Sequence, residues 1–237
     1  MSNQYFQFKQ FTIHQEKCAM KVSTDACIQG AWTPITDNVT QVLDIGAGTG
    51  LLSLMLAQRN NNIQIDAIEL EENAAAQATE NVNASLWADR INVINADVTK
   101  HVFTKQYDMV ICNPPFFNNN LLGNDAQRNN ARHTLSLSYE ALLAVLRKVL
   151  TPDGYASVLL PAAEHVIWLQ LIEKSGWSMS QILKVYPGEN VAHNRVVSLC
   201  VPQKSVATED VSLQIYKQGG GYTDEFTQLL QPYYLKL

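Results

Sequence analysis

Short apolar runs alternate along this chain with stretches whose apolar positions recur at helical spacing. Strands are predicted near residues 40–45, 63–69, 91–96 and 107–112, and helices near 50–59 and 71–85. That β-α-β rhythm implies a parallel sheet with helices on both faces. Phe6, Phe8, Phe11 and Ile13 suggest short extended pieces before it, and a helix is expected from about Thr24 to Trp32 with Ser23 or Thr24 as its cap. Further on, Leu142, Leu143, Val145, Leu146 and Val149 mark a helix over Tyr139–Leu150, closed by Thr151-Pro-Asp-Gly154. Tyr155–Leu160 reads as a fifth strand and Ala162–Ser175 as another helix. Met179–Val185 and Val196–Val201 read as a final pair joined by a hairpin-like turn. There is no internal repeat and no interdomain linker, so one domain over 1–237 is expected. Within it, 1–38 would be an extension and lead-in helix, 39–202 the core sheet, and 203–237 a segment packed on that core.

The turns between these elements carry the chemistry. Asp44 closes the first sheet strand and is followed by Gly46, Ala47, Gly48 and Gly50, after which the apolar helix beginning at Leu51 starts. Glycines allow a tight turn and a close approach of backbone to a ligand, at the positive end of a helix. A dinucleotide fingerprint spaces its glycines G-x-G-x-x-G. The spacing here is different and argues against NAD; an acid at the strand end suits a ligand bearing an ammonium. The second strand ends at Glu69, nineteen residues beyond Gly50, close to the ~20-residue spacing of a ribose-binding carboxylate. The third ends in Asn95-Ala96-Asp97, suited to reading an adenine edge.

The fourth strand, Tyr107–Cys112, runs into Asn113-Pro114-Pro115-Phe116. The Asn113 side-chain carbonyl and the Pro114 backbone carbonyl can both accept hydrogen bonds from one planar amine. The prolines fix φ and remove competing donors, and Phe116 offers a face for a ring to stack on. A proline turn that merely stops a strand is the structural alternative. Asp44, Glu69, Asp97 and Asn113 on four successive strand ends favour a binding edge, because ligands of open α/β sheets sit at the carboxyl ends of the strands.

In this order these motifs resemble the class I S-adenosylmethionine-dependent methyltransferases. The resemblance implies a Rossmann-like α/β fold with a mostly parallel, seven-stranded sheet ending in antiparallel strands, helices on both faces, and a short N-terminal extension. Within that class, Asn-Pro-Pro-Phe/Tyr marks enzymes that methylate adenine N6, guanine N2 or a glutamine amide. Lys9-Gln-Phe-Thr-Ile-His14, Met20-Lys-Val-Ser-Thr24-Asp25, Tyr222-Thr223 and Tyr233-Tyr-Leu-Lys-Leu237 are similar to one smaller family. These are the bacterial tRNA (adenine-N6) methyltransferases that act on the adenosine 3′ to the anticodon of a valine tRNA. The resemblance assigns the methionine end of S-adenosylmethionine to Asp44 and the glycine backbone, the ribose to Glu69 and the adenine to Asp97. Ala47, Leu70, Ala96 and Val98 complete the expected cofactor site, with Thr24 and Asp25 near the methionine part. S-adenosyl-L-homocysteine would be the product. A ribosomal RNA guanine-N2 enzyme, a protein glutamine-amide enzyme, an RNA-binding protein that keeps the fold and an NAD-linked reductase remain alternatives.

Composition changes this picture in one respect. With 237 residues, 46% of them hydrophobic, a single domain has material for a full core. No apolar run is long enough to cross a bilayer, and the polar start is not a signal peptide. Cys18, Cys27, Cys112 and Cys200 form no Cys-x-x-Cys pair and the histidines are scattered, so no metal is expected. A reduced, cytoplasmic setting and a monomer are expected. Cys112 is read as a small buried hydrophobe rather than a nucleophile. The net charge of −5 is unusual for a protein handling RNA. Lys17, Lys21, Arg128, Arg132 and His133 flank the expected pocket and could form a basic rim for RNA. Residues 117–130, rich in asparagine, are expected to form a mobile substrate loop that orders on RNA.

Overall fold

The computed structural model describes residues 3–115, 137–204 and 207–237. A short hairpin comes first, β1 (Tyr5–Gln7) paired antiparallel with β2 (Thr12–His14). Helix α1 (Thr24–Trp32) follows, capped by Ser23, whose hydroxyl accepts from the Ala26 amide. Then come β3 (Gln41–Ile45), α2 (Leu51–Arg59), β4 (Gln64–Glu69), α3 (Glu72–Asn83), β5 (Ile91–Asn95) and β6 (Tyr107–Cys112). After the undescribed stretch come α4 (Tyr139–Val149), β7 (Leu150–Pro161), α5 (Ala162–Lys174), β8 (Ser178–Tyr186) and β9 (Arg195–Val201), then β10 (Glu209–Gln214) and α6 (Asp224–Leu230).

The predicted strands and helices are all present, and they assemble as the resemblance implied. The main sheet has the order β10-β8-β9-β7-β6-β3-β4-β5. Strands β6, β3, β4 and β5 are mutually parallel, and β7 is parallel to β6. Strand β9 runs antiparallel to both β7 and β8. Each central strand alternates its side chains between two cores, as the two-residue period of a strand requires. Val42, Met109 and Ile111 enter the core under α1 and α2, whereas Leu43, Val110 and Cys112 enter the one under α4 and α5.

Two features depart from expectation. The sheet has eight strands rather than seven, because β10 adds in parallel to β8 at the edge. The sheet therefore extends beyond residue 202. Strand β7 also begins earlier, at Leu150, which pairs with Tyr107, while Tyr155 pairs with Met109. The residues Thr151–Gly154 thus form a bulge inside the strand instead of a turn before it. Pro152 has no amide hydrogen to give the ladder. A Cβ on Gly154 would lie 3.0 Å from the Asp108 carbonyl oxygen, so only glycine fits that close approach.

The β1-β2 hairpin packs over the end of the chain. Phe8 pairs with Tyr234, the Lys9 amide donates to the Tyr233 carbonyl, and Phe6, Phe8 and Tyr234 form one ring cluster.

Candidate active site

Strand register sets the geometry of the site. Ile45 lies level with Ile68 on β4 and with Cys112 on β6, and Glu69 lies level with Asn95. The residues that follow, Gly46 and Asn113, are therefore neighbours across one strand spacing of ~4.8 Å. Glu69 and Asn95 continue the row on the other side of Gly46. The chain proceeds outward from β3 through β4 and β5 and returns beside β3 as β6. That reversal opens a crevice at the carboxyl edge, where ligands of such sheets bind.

The glycine turn is shaped for close approach. Gly46, Gly48 and Gly50 have φ of 72°, 55° and 80°, a backbone that residues with a Cβ rarely adopt. A Cβ placed on Gly46 would meet nothing within 4 Å, so the turn faces open space there. The Gly46 and Ala47 amides both donate to the Ile68 carbonyl, and the Gly48 amide donates to Glu69 Oε2 at 2.8 Å. Glu69 Oε1 accepts from the Glu71 amide at 2.9 Å. Glu69 thus ties the glycine turn to the end of β4, with lone pairs remaining on both oxygens. Leu70 beside it is a large apolar side chain 47% exposed.

Asp44 is fully buried, and both Ser53 donors, the amide at 3.2 Å and the hydroxyl at 2.7 Å, go to its Oδ2. Its Oδ1 is buried without a partner. Burial pushes this carboxyl up to about 7, with the Ser53 hydrogen bonds opposing the shift and the nearby Glu69 adding to it. An unpartnered acceptor poised to ionise near neutrality, beside an open glycine turn and a ribose-spaced Glu69, fits a ligand with an ammonium and a nucleoside. S-adenosylmethionine has both.

Asn113 shows the same signature. Its Oδ1 is buried with no hydrogen-bond partner among the described residues, Pro114 is buried, and Pro115 is exposed. A stranded acceptor of this kind costs about 1–3 kcal/mol, which a ligand N–H would recover. Cys112 is 1% exposed within the α4/α5 core, where burial, chiefly, pushes its thiol up and keeps it protonated.

The other expected residues divide. Asp97 Oδ1 accepts from the Thr99 amide and hydroxyl, its Oδ2 pairs with Lys100 at 3.1 Å, and the Thr99 hydroxyl, chiefly, holds its pKa below the usual range. Its carboxylate is engaged with its own turn. The Ala96 amide donates to the Glu69 carbonyl, and Ala96 and Val98 pack on the α4/α5 core. Thr24 opens α1, and Asp25 pairs with Arg195 at 2.9 Å, which sets it against the start of β9. Lys17 pairs with Glu80, and Lys21 donates to the Asn3 carbonyl. Phe116, Arg128, Arg132, His133 and the expected substrate loop lie outside the described residues.

One residue of the site was missed. Gln29, fully buried on α1, donates from Nε2 to the Cys112 carbonyl and the Ser157 carbonyl, both at 3.1 Å, and to the Ser157 hydroxyl at 3.3 Å. Thr33 completes the network through a 2.7 Å contact with Ser157 Oγ. Gln29 therefore fixes the peptide that leads into Asn113. A glutamine amid the apolar Ala26-Cys-Ile-Gln-Gly-Ala31 was the available signal.

Comparison with known proteins agrees with this geometry. The family model described as "Methyltransferase small domain" matches residues 33–153. A curated protein of Dyadobacter fermentans named tRNA1(Val) (adenine(37)-N6)-methyltransferase is 39% identical, covering 99% of this chain and 98% of its own. One of the same name from Tolumonas auensis is 40% identical, covering 100% and 99%. Among solved structures, a predicted O-methyltransferase from Agrobacterium tumefaciens superposes with a TM-score of 0.66 at 16% identity, over 88% of this chain and 96% of that one. That likeness shows the shared fold.

Proposed function

The chain belongs to the methyltransferase small-domain family and, within it, to the tRNA1(Val) (adenine(37)-N6)-methyltransferases, and from that membership we propose how it acts. It transfers a methyl group from S-adenosylmethionine to the exocyclic N6 of an adenosine in tRNA, the anticodon-loop adenosine of a valine tRNA. The observation that carries this reading is the buried, unpartnered Asn113 Oδ1, one strand spacing from the open glycine turn.

When bound, S-adenosylmethionine supplies an electrophilic sulfonium methyl, so the protein's task is to hold and tune the acceptor. Asn113 Oδ1 and the Pro114 carbonyl accept the two N6–H groups of the adenine. The exocyclic lone pair is ordinarily delocalised into the ring. Gripping both hydrogens favours a pyramidal nitrogen with its lone pair turned towards the methyl. The same two oxygens stabilise the positive charge that develops on N6. No strong base is needed, since the N6 proton becomes acidic only once the new bond has formed. The Gln29 amide keeps the Cys112 peptide, and with it the Asn113 grip, in place. Phe116 has the stacking role by the resemblance. An anticodon-loop base is already partly unpaired, so drawing it out costs less than the few kcal/mol of extrusion from a duplex.

On the cofactor side, Asp44 Oδ1 would receive the ammonium, the glycine backbone would line the methionine part, and Glu69 would take the ribose hydroxyls with Leu70 against the adenine. Lys17, Lys21, Arg128, Arg132 and His133 are the candidates for phosphate contacts; Lys17 is paired with Glu80 and Lys21 donates to the Asn3 carbonyl. We place the enzyme in the cytoplasm, where its substrate is, and as a monomer.

The test is methyl transfer from labelled S-adenosylmethionine to total tRNA of cells lacking the protein, followed by nucleoside analysis. N6-methyladenosine in a valine tRNA is expected. Label in a guanosine, in ribosomal RNA or in protein, with none in adenosine of tRNA, would overturn the assignment.

A further inference from the structure

We infer that Tyr216 and Tyr222 form a stacking platform for an unpaired base of the RNA substrate, elsewhere in the loop that carries the target adenosine. The inference rests on the tRNA reading above and adds a contact surface to it. Strand β10 is parallel to β8, and β8 runs in the same direction as β6 because the intervening β9 opposes both β8 and β7. The segment after Gln214 therefore emerges at the same sheet edge as Asn113. Four strand spacings separate β6 from β10, or roughly 19 Å at ~4.8 Å each. That distance lies beyond the target base but within the span of the loop that carries it.

The segment is built as a small hairpin. Tyr216 and Tyr222 form an antiparallel bridge, the Lys217 amide donates to the Gly221 carbonyl, and the Thr223 amide donates to the Ile215 carbonyl. Between them Gly219, Gly220 and Gly221 all adopt positive φ, at 85°, 98° and 81°. A Cβ on any of the three would meet nothing within 4 Å. The three glycines thus add no side chains beside the rings.

Those rings form a ladder. Phe226 is fully buried, Tyr222 stacks on it at 4.6 Å and 25°, and Tyr216 stacks on Tyr222 at 5.2 Å and 24°. The core end is anchored and the outer ring, 47% exposed, ends in solvent. Charge argues for stacking over phosphate capture here. The net charge is −5, and Lys217 is paired with Asp224 at 2.7 Å. Aromatic faces bind unpaired bases without needing net positive charge.

The experiment uses the full chain and an unmodified valine-tRNA transcript. Affinity is measured by fluorescence anisotropy with S-adenosylhomocysteine present, and methylation kinetics are measured alongside. Tyr216→Ala is expected to raise both the transcript Kd and its KM about five- to a hundredfold, the effect of losing one base–aromatic stack. Its kcat at saturating tRNA and its S-adenosylhomocysteine affinity should match wild type, which a folding defect would not allow. Tyr216→Trp should bind like wild type. Transcript affinity of Tyr216→Ala within twofold of wild type, or equal losses in Tyr216→Trp and Tyr216→Ala, would overturn the platform. If the wild-type protein binds the transcript tightly yet leaves it unmethylated, the tRNA-methylation reading falls while the anisotropy still decides the platform.

Discussion

Changing Asp44 to asparagine should move the stability of the ligand-free protein and its affinity for cofactor in opposite directions. Folding raises this carboxyl from 3.8 to about 7 because it is buried with one oxygen unpartnered. The folded chain therefore keeps a proton that the unfolded chain releases between those values. Stability from this group is full below pH 3.8, falls as pH rises towards 7, and levels off above. A rise of about three in pKa, at about 1.4 kcal/mol per tenfold, puts the cost of ionised Asp44 near 4 kcal/mol at pH 8. Asparagine keeps an oxygen for the two Ser53 donors and carries no charge. Asp44→Asn should thus stabilise the ligand-free protein at pH 8 by up to about 4 kcal/mol, or roughly 8–16 °C in Tm at this chain length. At pH 5, where the folded carboxyl is neutral but the unfolded one is still ionised, the gain should shrink to under about 2 kcal/mol, and it should vanish only below pH 3.8. Binding should change the other way. An ammonium ligand selects the ionised carboxylate, so wild-type affinity for S-adenosylhomocysteine should tighten from pH 6 to 8, most steeply below about 7. Asp44→Asn should bind weakly with no such dependence. Scanning calorimetry without ligand and titration calorimetry with it, each at pH 5, 6 and 8, measure both arms. A variant no more stable than wild type at pH 8, or a wild-type affinity flat from pH 6 to 8, would refute the reasoning.

Asn113→Ala should cut kcat by about 10²–10³, the usual loss when one preorganised polar group is removed from a developing charge, while S-adenosylhomocysteine affinity stays within a fewfold of wild type. Near-normal turnover would eliminate the two-carbonyl grip. Gln29→Leu leaves the Cys112 and Ser157 carbonyls without their donor, so denaturant titration should show a loss of about 1–3 kcal/mol. Its kcat should fall further than its KM rises, because the grip on N6 is displaced; a purely thermal effect with wild-type kcat would limit Gln29 to packing. Cys112→Ala should retain methyl transfer within a fewfold, and a loss comparable to that of Asn113→Ala would give the thiol a chemical role.

The central half of the sheet was legible because buried parallel strands are runs of apolar residues ended by glycine or polar clusters. Met109 to Cys112 fits that rule outright, and Val42 to Ile45 and Ile63 to Ile68 fit it with Asp44, Gln64 and Asp66 as interruptions. Strand β10 was not, since Glu209-Asp-Val-Ser-Leu-Gln214 offers only Val211 and Leu213 as apolar positions. An edge strand needs little more, and its pairing with β8 is a tertiary fact. The Thr151–Gly154 bulge was hidden for the opposite reason: proline, aspartate and glycine together signal a turn wherever they occur, and the ladder on either side overrode that local preference. In the candidate site, Asp44, Glu69 and Asn113 could be proposed from their places at strand ends, and strand register brings them to one sheet edge. Asp97 also stands at a strand end, but its carboxylate is engaged by Thr99 and Lys100, which position alone does not reveal. Gln29 was hard to see because its partners are backbone carbonyls 83 and 128 residues away.

The pairing of Phe8 with Tyr234 bears on when this protein becomes complete. Those residues leave the ribosome 226 positions apart, which at 5–20 residues per second is about 10–45 s. For that interval Phe6, Phe8 and Phe11 can pack against one another but not against Tyr233 and Tyr234. The layer over α1 closes only once Tyr234 has been made, and a chain interrupted before it would carry an uncovered aromatic cluster, a natural handle for chaperones or proteases.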